Sequence, residues 1–137
     1  MAGTITQAHD EGSAICLYTF TCVADAVDGS FPSTLLTTPI AGWLLALETN
    51  PGATAPTDDY DIALTDGDGH DVLQGVGGNR DAAATEKTPI VYSATSIHPP
   101  VSEADALTLA ITNSIVNDAQ ITIKLYYEKA ATPGGRW

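Results

Sequence analysis

Gly42-Trp43-Leu44-Leu45-Ala46-Leu47-Glu48-Thr49, then Asn50-Pro51-Gly52, then Tyr60-Asp61-Ile62-Ala63-Leu64-Thr65, then Asp66-Gly67-Asp68-Gly69 and His70-Asp71-Val72-Leu73-Gln74-Gly75 is the stretch whose reading decides the fold. Trp43, Leu45 and Leu47 alternate with Leu44, Ala46 and Glu48, and Tyr60, Ile62 and Leu64 alternate with Asp61, Ala63 and Thr65. A period of two sends successive side chains to opposite faces, so each segment is expected to be a strand with one face on a core. Asn50-Pro51-Gly52 is expected to turn and not to continue a strand, because proline lacks the donor and glycine tolerates positive φ. Asp66-Gly67-Asp68-Gly69 has hairpin chemistry, which predicts antiparallel pairing of Tyr60–Thr65 with His70–Leu73.

The same alternation recurs on both sides. Ala14–Ala24 places Cys16, Tyr18, Phe20 and Cys22 on one face and Ile15, Leu17, Thr19, Thr21 and Val23 on the other. Both faces are moderately apolar, which predicts a central strand covered on both sides. Leu107, Leu109 and Ile111, then Ile121, Ile123, Leu125 and Tyr127, form two further apolar rows, expected to be a hairpin reversed at Asn113–Ala119. Weaker strand patterns fall at Thr4–Gln7, Thr34–Thr37 and Thr88–Ser93. His9-Asp10-Glu11-Gly12 is read as a turn, and Asn79–Lys87 as one or two helical turns capped by Asn79. Gly75-Val76-Gly77-Gly78 is read as a flexible connection, since it lacks the Gly-Lys-Ser/Thr ending and the βαβ context of a phosphate loop. Eight or nine short strands with turn chemistry between them, and no long helical period, predict an all-β, antiparallel β-sandwich.

The chain has 137 residues, of which 44% are apolar and 16% charged, a globular composition. A domain of this length buries roughly 65–70% of the surface its unfolded form exposes. Residues 1–129 are expected to form that domain, with 1–12 as a candidate arm and 130–137 as a tail. The formal net charge is −12, and all five basic residues (Arg80, Lys87, Lys124, Lys129, Arg136) lie at or after position 80. Such a surface does not neutralise phosphates, which argues against nucleic acid and anionic membranes as partners. Cys16 and Cys22 are six residues apart in one strand, roughly 20 Å, far beyond disulfide reach, and are expected to be reduced core residues. The N-terminal stretch has neither the basic start nor the apolar run of a signal peptide, so a protein made in the cytosol, without export signals, is expected.

Candidate chemistry is sparse. Asp66, Asp68 and Asp71, with Asp58, Asp59 and Asp61 nearby, are calcium candidates, but calcium wants six to eight oxygens and the loop is short and lacks an EF-hand's later bidentate glutamate. No cofactor is called for otherwise. His9, His70 and His98 are scattered without zinc spacing. There is no Gly-x-Ser-x-Gly elbow, and no enzyme is expected. Trp43, Tyr60, Tyr92, Tyr126 and Tyr127 are candidates for stacking on sugars; Tyr126 and Tyr127 are adjacent, so one of them must face away from the core. Thr4, Ile5, Tyr126 and Trp137 are the interface candidates.

Residues 42–75 followed by Asn79-Arg80-Asp81 resemble a family of small tailed-bacteriophage virion proteins. The shared pattern is Gly-Trp, a strand, a Pro-Gly-Ala-x-Ala-Pro-Thr-Asp loop, Tyr-Asp-Ile, an Asp-Gly hairpin, a Gly-rich break and an Arg-Asp step. Leu107–Ser114 and Ile121–Tyr127 carry it further, so that it covers about residues 40–128. The resemblance implies a sandwich or jelly-roll subunit in a symmetric homo-oligomer, without catalysis. Its first implication is a capsid decoration (cement) protein, a trimer in first place, bound to the major capsid protein on the shell of a virion assembled in the host cytoplasm. The alternatives are a neck or tail ring protein with an acidic channel face, and a carbohydrate-binding head fibre or spike module.

Overall fold

The computed structural model describes residues 2–130 and is all-β, with no helix among them. Nine strands form: β1 (Thr4–Asp10), β2 (Ile15–Val23), β3 (Thr34–Leu35), β4 (Gly42–Pro51), β5 (Asp61–Thr65), β6 (Glu86–Pro89), β7 (Pro100–Val101), β8 (Thr108–Thr112) and β9 (Gln120–Lys129). The large sheet has the order β1-β2-β9-β4-β6, with β7 also on β4, and the small sheet has the order β3-β8-β5. All pairings are antiparallel. From β2 to β6 and again from β7 to β9, the chain changes sheet at each step, which is the wrapping of a jelly roll. Two apolar faces meet between the layers. The large sheet contributes Tyr18, Phe20, Leu44, Leu47, Ile123 and Tyr127, and the small sheet Ile62, Leu64, Leu109 and Ile111.

Several expectations are corrected by this architecture. Leu107–Thr112 and Ile121–Tyr127 are not a hairpin: β8 lies in the small sheet and β9 in the centre of the large one, so residues 113–119 cross between layers. Alternation reports which face of a strand is buried but not which sheet it joins. In β4 the predicted parity breaks, because Leu44 and Leu47 are both buried while Leu45 is not. A register shift between Leu44 and Ala46 opposite Tyr127 and Tyr126 leaves Leu45 as the extra residue of a β-bulge. β4 also continues through Pro51. Gly52 N donates to Gln120 O, so Pro51's nitrogen faces the opposite edge, where β6 has already ended at Glu86 and no donor is required.

β1 runs through His9 and Asp10, where a turn was expected. β2 is central but covered on one face only, and Ile15 on the other face is 50% exposed. Tyr60–Thr65 and His70–Leu73 share only an isolated bridge at Thr65 and Asp71, and the true partner of β5 is β8. Residues 79–87 contain no helical turn: Asn79 sits at φ 52° and Glu86 already begins β6. Asp81 takes the capping role locally, accepting from the amides of Ala83 and Ala84. The strand expected at Thr88–Ser93 starts at Glu86 and ends at Pro89.

Candidate functional site

Arg80 holds the frame together. Its side chain threads between β4, β6 and residues 71–80, and the residue is 2% exposed. Nε donates to Thr49 Oγ1 at 3.0 Å, Nη1 to Val76 O and Thr88 Oγ1 at 3.0 Å each, and Nη2 to Glu86 O at 3.1 Å. Glu86 Oε1 lies 3.6 Å from Nε. A guanidinium suits this place because its planar fork supplies five fixed donors, four of which find acceptors here in the sandwich interior. The backbone of the same segment covers β5: Arg80 N donates to Tyr60 O, Ile62 N to Gly77 O and Val72 N to Leu64 O. Gly75–Gly78 is therefore a fixed close approach and not a flexible connection, since a Cβ at Gly77 would lie 2.0 Å from Ile62 O.

The Asp66–Gly69 turn uses its carboxylates on backbone. Asp66 Oδ1 accepts from the amides of Asp68 and His70. Asp71 Oδ1 accepts from Leu64 and Leu73, and Oδ2 from Gly75. The hydrogen bonds hold the Asp66 carboxyl below its usual range, that from His70 N first. Among the described residues no group of three or more His, Cys, Asp or Glu is placed to hold a metal ion. Asp66, Asp68 and Asp71 thus lie on one turn without converging their oxygens.

A second polar cluster ties β1 down. The His9 ring stacks on Tyr18 (centroids 4.7 Å apart) and bonds through Nε2 to the Tyr127 hydroxyl, which also reaches Glu11 Oε2 at 3.5 Å. Tyr18 donates to Gln7 Oε1 at 2.6 Å, and Gln7 Oε1 accepts from Thr37 N at 2.9 Å. Burial pushes the Tyr127 phenol upward, and it pushes the Cys16 thiol up as well. A thiol held protonated is a poor nucleophile, so the cluster works as a fastener between β1, β2 and β9. Cys22 is free and buried too, its thiol pushed by burial up to about 12.

Several large side chains gather on the outer face of the large sheet. The β4 bulge aims Leu45 outward beside Trp43, which is 39% exposed. Leu45 O accepts from Ile90 N and Leu44 N donates to Pro99 O, which pins residues 90–99 against this end of β4. That segment delivers Ile97, 62% exposed, and His98, whose Nδ1 donates to Ile90 O at 2.7 Å. Trp43, Leu45, Ile97, His98, Pro100 and Glu128 line an open groove of about 470 Å³. Next to it, the register places Leu17 beside Tyr126 and Tyr126 beside Ala46, with Lys87 Nζ 4.1 Å above the Tyr126 ring.

Of the interface candidates, Thr4 is exposed at the end of β1, Ile5 is partly buried against the core, and Tyr126 faces outward while Tyr127 is buried. Trp137 lies outside the described residues. Sequence reasoning missed the importance of Arg80 and of Ile97. A lone arginine between Asn79 and Asp81 carries no periodic signal, and Ile97 gains its place only through backbone bonds distant in sequence. Comparison with protein-family models, with curated proteins and with solved structures finds no match.

Proposed function

We propose that this chain is a structural subunit of a tailed-phage particle, most simply a capsid decoration protein that binds the outer shell and bridges major capsid subunits. The observation that carries the reading is the groove around Trp43 and Ile97, next to the Tyr126 row on the same outer sheet face. Large apolar side chains grouped on an exposed face suit contact with another protein. The buried anchors are consistent with a stiff brick that acts through its surfaces, and the sequence pattern over residues 40–128 points to virion proteins. Many copies, each bound weakly, hold a shell firmly by multivalency. The partners are then the major capsid protein and further copies of this chain, and the location is the virion.

Mass analysis of purified particles tests the reading. Hundreds of copies per particle support decoration, about a dozen indicate a neck ring, and none refutes a virion role. Trp43→Ala should weaken binding to empty shells at least tenfold, as loss of an interface anchor does. A second reading, carbohydrate binding, draws on the same exposed Trp43 beside His98 and Glu128. It predicts that host polysaccharide binds the isolated protein and that Trp43→Ala abolishes this.

A further inference from the structure

We infer that the open edge of β1 is a self-association site, where a second copy of this chain adds its own β1 antiparallel about a two-fold axis at Gln7. Among the described residues, the other sheet edges are short or covered. β3 and β7 have two residues each, β6 has four and carries Lys87 and Pro89, and β5 is flanked by the 71–80 segment. β1 is seven residues long, pairs only with β2, and contains no proline, lysine or arginine. Natural sheets usually blunt such an edge with those residues or a bulge, and an unprotected edge is a template for another strand.

The register identifies the groups that the edge offers. Lys129 N donates to Ala14 O and Ala24 N to Ala119 O, so even-numbered residues of β2 turn their backbone toward β9. In an antiparallel ladder each residue sends its N–H and C=O to the same side, and the side alternates along the strand. Odd-numbered residues of β2 therefore face β1, and they pair with Thr4, Thr6, Ala8 and Asp10. The N–H and C=O groups of Ile5, Gln7 and His9 point away from the sheet, and no bond between them and another described residue exists outside the β1–β2 ladder.

A second β1 fits this edge in one well-matched register. With Gln7 opposite Gln7, Ile5 falls opposite His9 of the other copy, and all outward groups meet in about six hydrogen bonds. Thr6 then faces Ala8, and Asp10, the strand's only acidic residue, faces Thr4, so no like charges oppose each other. The outward side chains Thr4, Thr6 and Ala8 are small and exposed, which permits close approach. The result is one continuous sheet across two copies, in place of the three-fold arrangement that the family resemblance implies. Because each copy carries −12, association should strengthen as salt screens the repulsion.

The inference does not depend on the virion reading, and its test uses the isolated full chain. Sedimentation should show a monomer–dimer equilibrium that tightens with salt, and hydrogen exchange should show the amides of Ile5, Gln7 and His9 gaining protection as dimer forms. Thr6→Lys with Ala8→Lys sets lysine against lysine and should raise the dimer Kd roughly tenfold, while Thr6→Lys with Ala8→Glu should restore it. As a second measurement, Thr6→Cys with Ala8→Cys should give a covalent dimer on mild oxidation, since directly opposed positions lie within disulfide reach; Thr4→Cys with Ala8→Cys, which are not opposed in this register, should not. A monomer at all concentrations, a trimer, or a dimer with freely exchanging β1 amides overturns the inference. Protection of β1 that appears only with capsid shells overturns it as well, and assigns the edge to another chain.

Discussion

Removing the Arg80 side chain is the sharpest perturbation of this fold. Arg80→Ala strips partners from two backbone carbonyls, Val76 O and Glu86 O, and from the Thr49 and Thr88 hydroxyls. Each bond to the charged guanidinium contributes about 1.5–3 kcal/mol at most, and the part-buried carbonyls and rotatable hydroxyls regain some of that from other partners. Some of this is recovered if water enters the space, which leaves a net loss of about 3–5 kcal/mol. Against a typical total of about 5–15 kcal/mol this is a severe loss, and for a chain of this length it lowers Tm by roughly 10–20 °C. Glu86→Gln is the companion. Its carboxylate is 37% exposed and lies 3.6 Å from Nε, so its loss should cost under about 1 kcal/mol. Guanidinium unfolding of both variants gives the comparison. The argument rests on bond geometry and not on the ion pair, so Arg80→Lys, which keeps the charge but loses the fork, should fall near Arg80→Ala. An Arg80→Ala loss below about 1 kcal/mol, or a Glu86→Gln loss equal to it, refutes the reasoning.

Four further outcomes are expected. Tyr60 Oη is buried without a hydrogen-bond partner, so Tyr60→Phe should leave the unfolding midpoint unchanged or raise stability by up to about 1 kcal/mol; a clear loss counts against it. The Cys22 thiol, raised from about 9 to about 12 by burial, favours the folded state fully below pH 9 and loses that contribution as pH rises toward 12, at up to about 1.4 kcal/mol per pH unit. Cys22→Ala should therefore make the stability profile less steep between pH 9 and 10, leaving the decline that the raised Cys16 thiol contributes, before the raised Tyr60 and Tyr127 phenols add theirs. Gly77→Ala places a Cβ 2.0 Å from Ile62 O and should lower Tm well beyond Gly78→Ala, where the nearest atom is 3.4 Å away. Asp71→Ala removes the acceptor for three amides and should cost about 2 kcal/mol, while millimolar calcium should leave the wild-type melting temperature unmoved.

Local alternation was legible in this chain because it records only one thing, which side of a pleat meets apolar surroundings. Tyr60, Ile62 and Leu64 are buried as their spacing predicts, and so are Cys16, Tyr18, Phe20 and Cys22. Alternation cannot register an inserted residue: the Leu45 bulge reverses the parity of β4 and turns Trp43 and Leu45 out to the surface groove. It cannot assign a strand to a sheet either. The segment 113–119 has the composition of a hairpin turn, yet β8 and β9 part there, because β9 finds longer partners in β2 and β4.

By itself, the sequence determined an antiparallel sandwich, a reduced interior and a strongly acidic surface, since each follows from side-chain type and spacing along the chain. The tertiary structure alone decided the jelly-roll order of the strands, the burial of Arg80 among four acceptors, and which backbone groups of β1 stay unpaired. Those depend on backbone groups that every residue carries alike, so their pairing is settled by distant segments and leaves no mark in the local pattern.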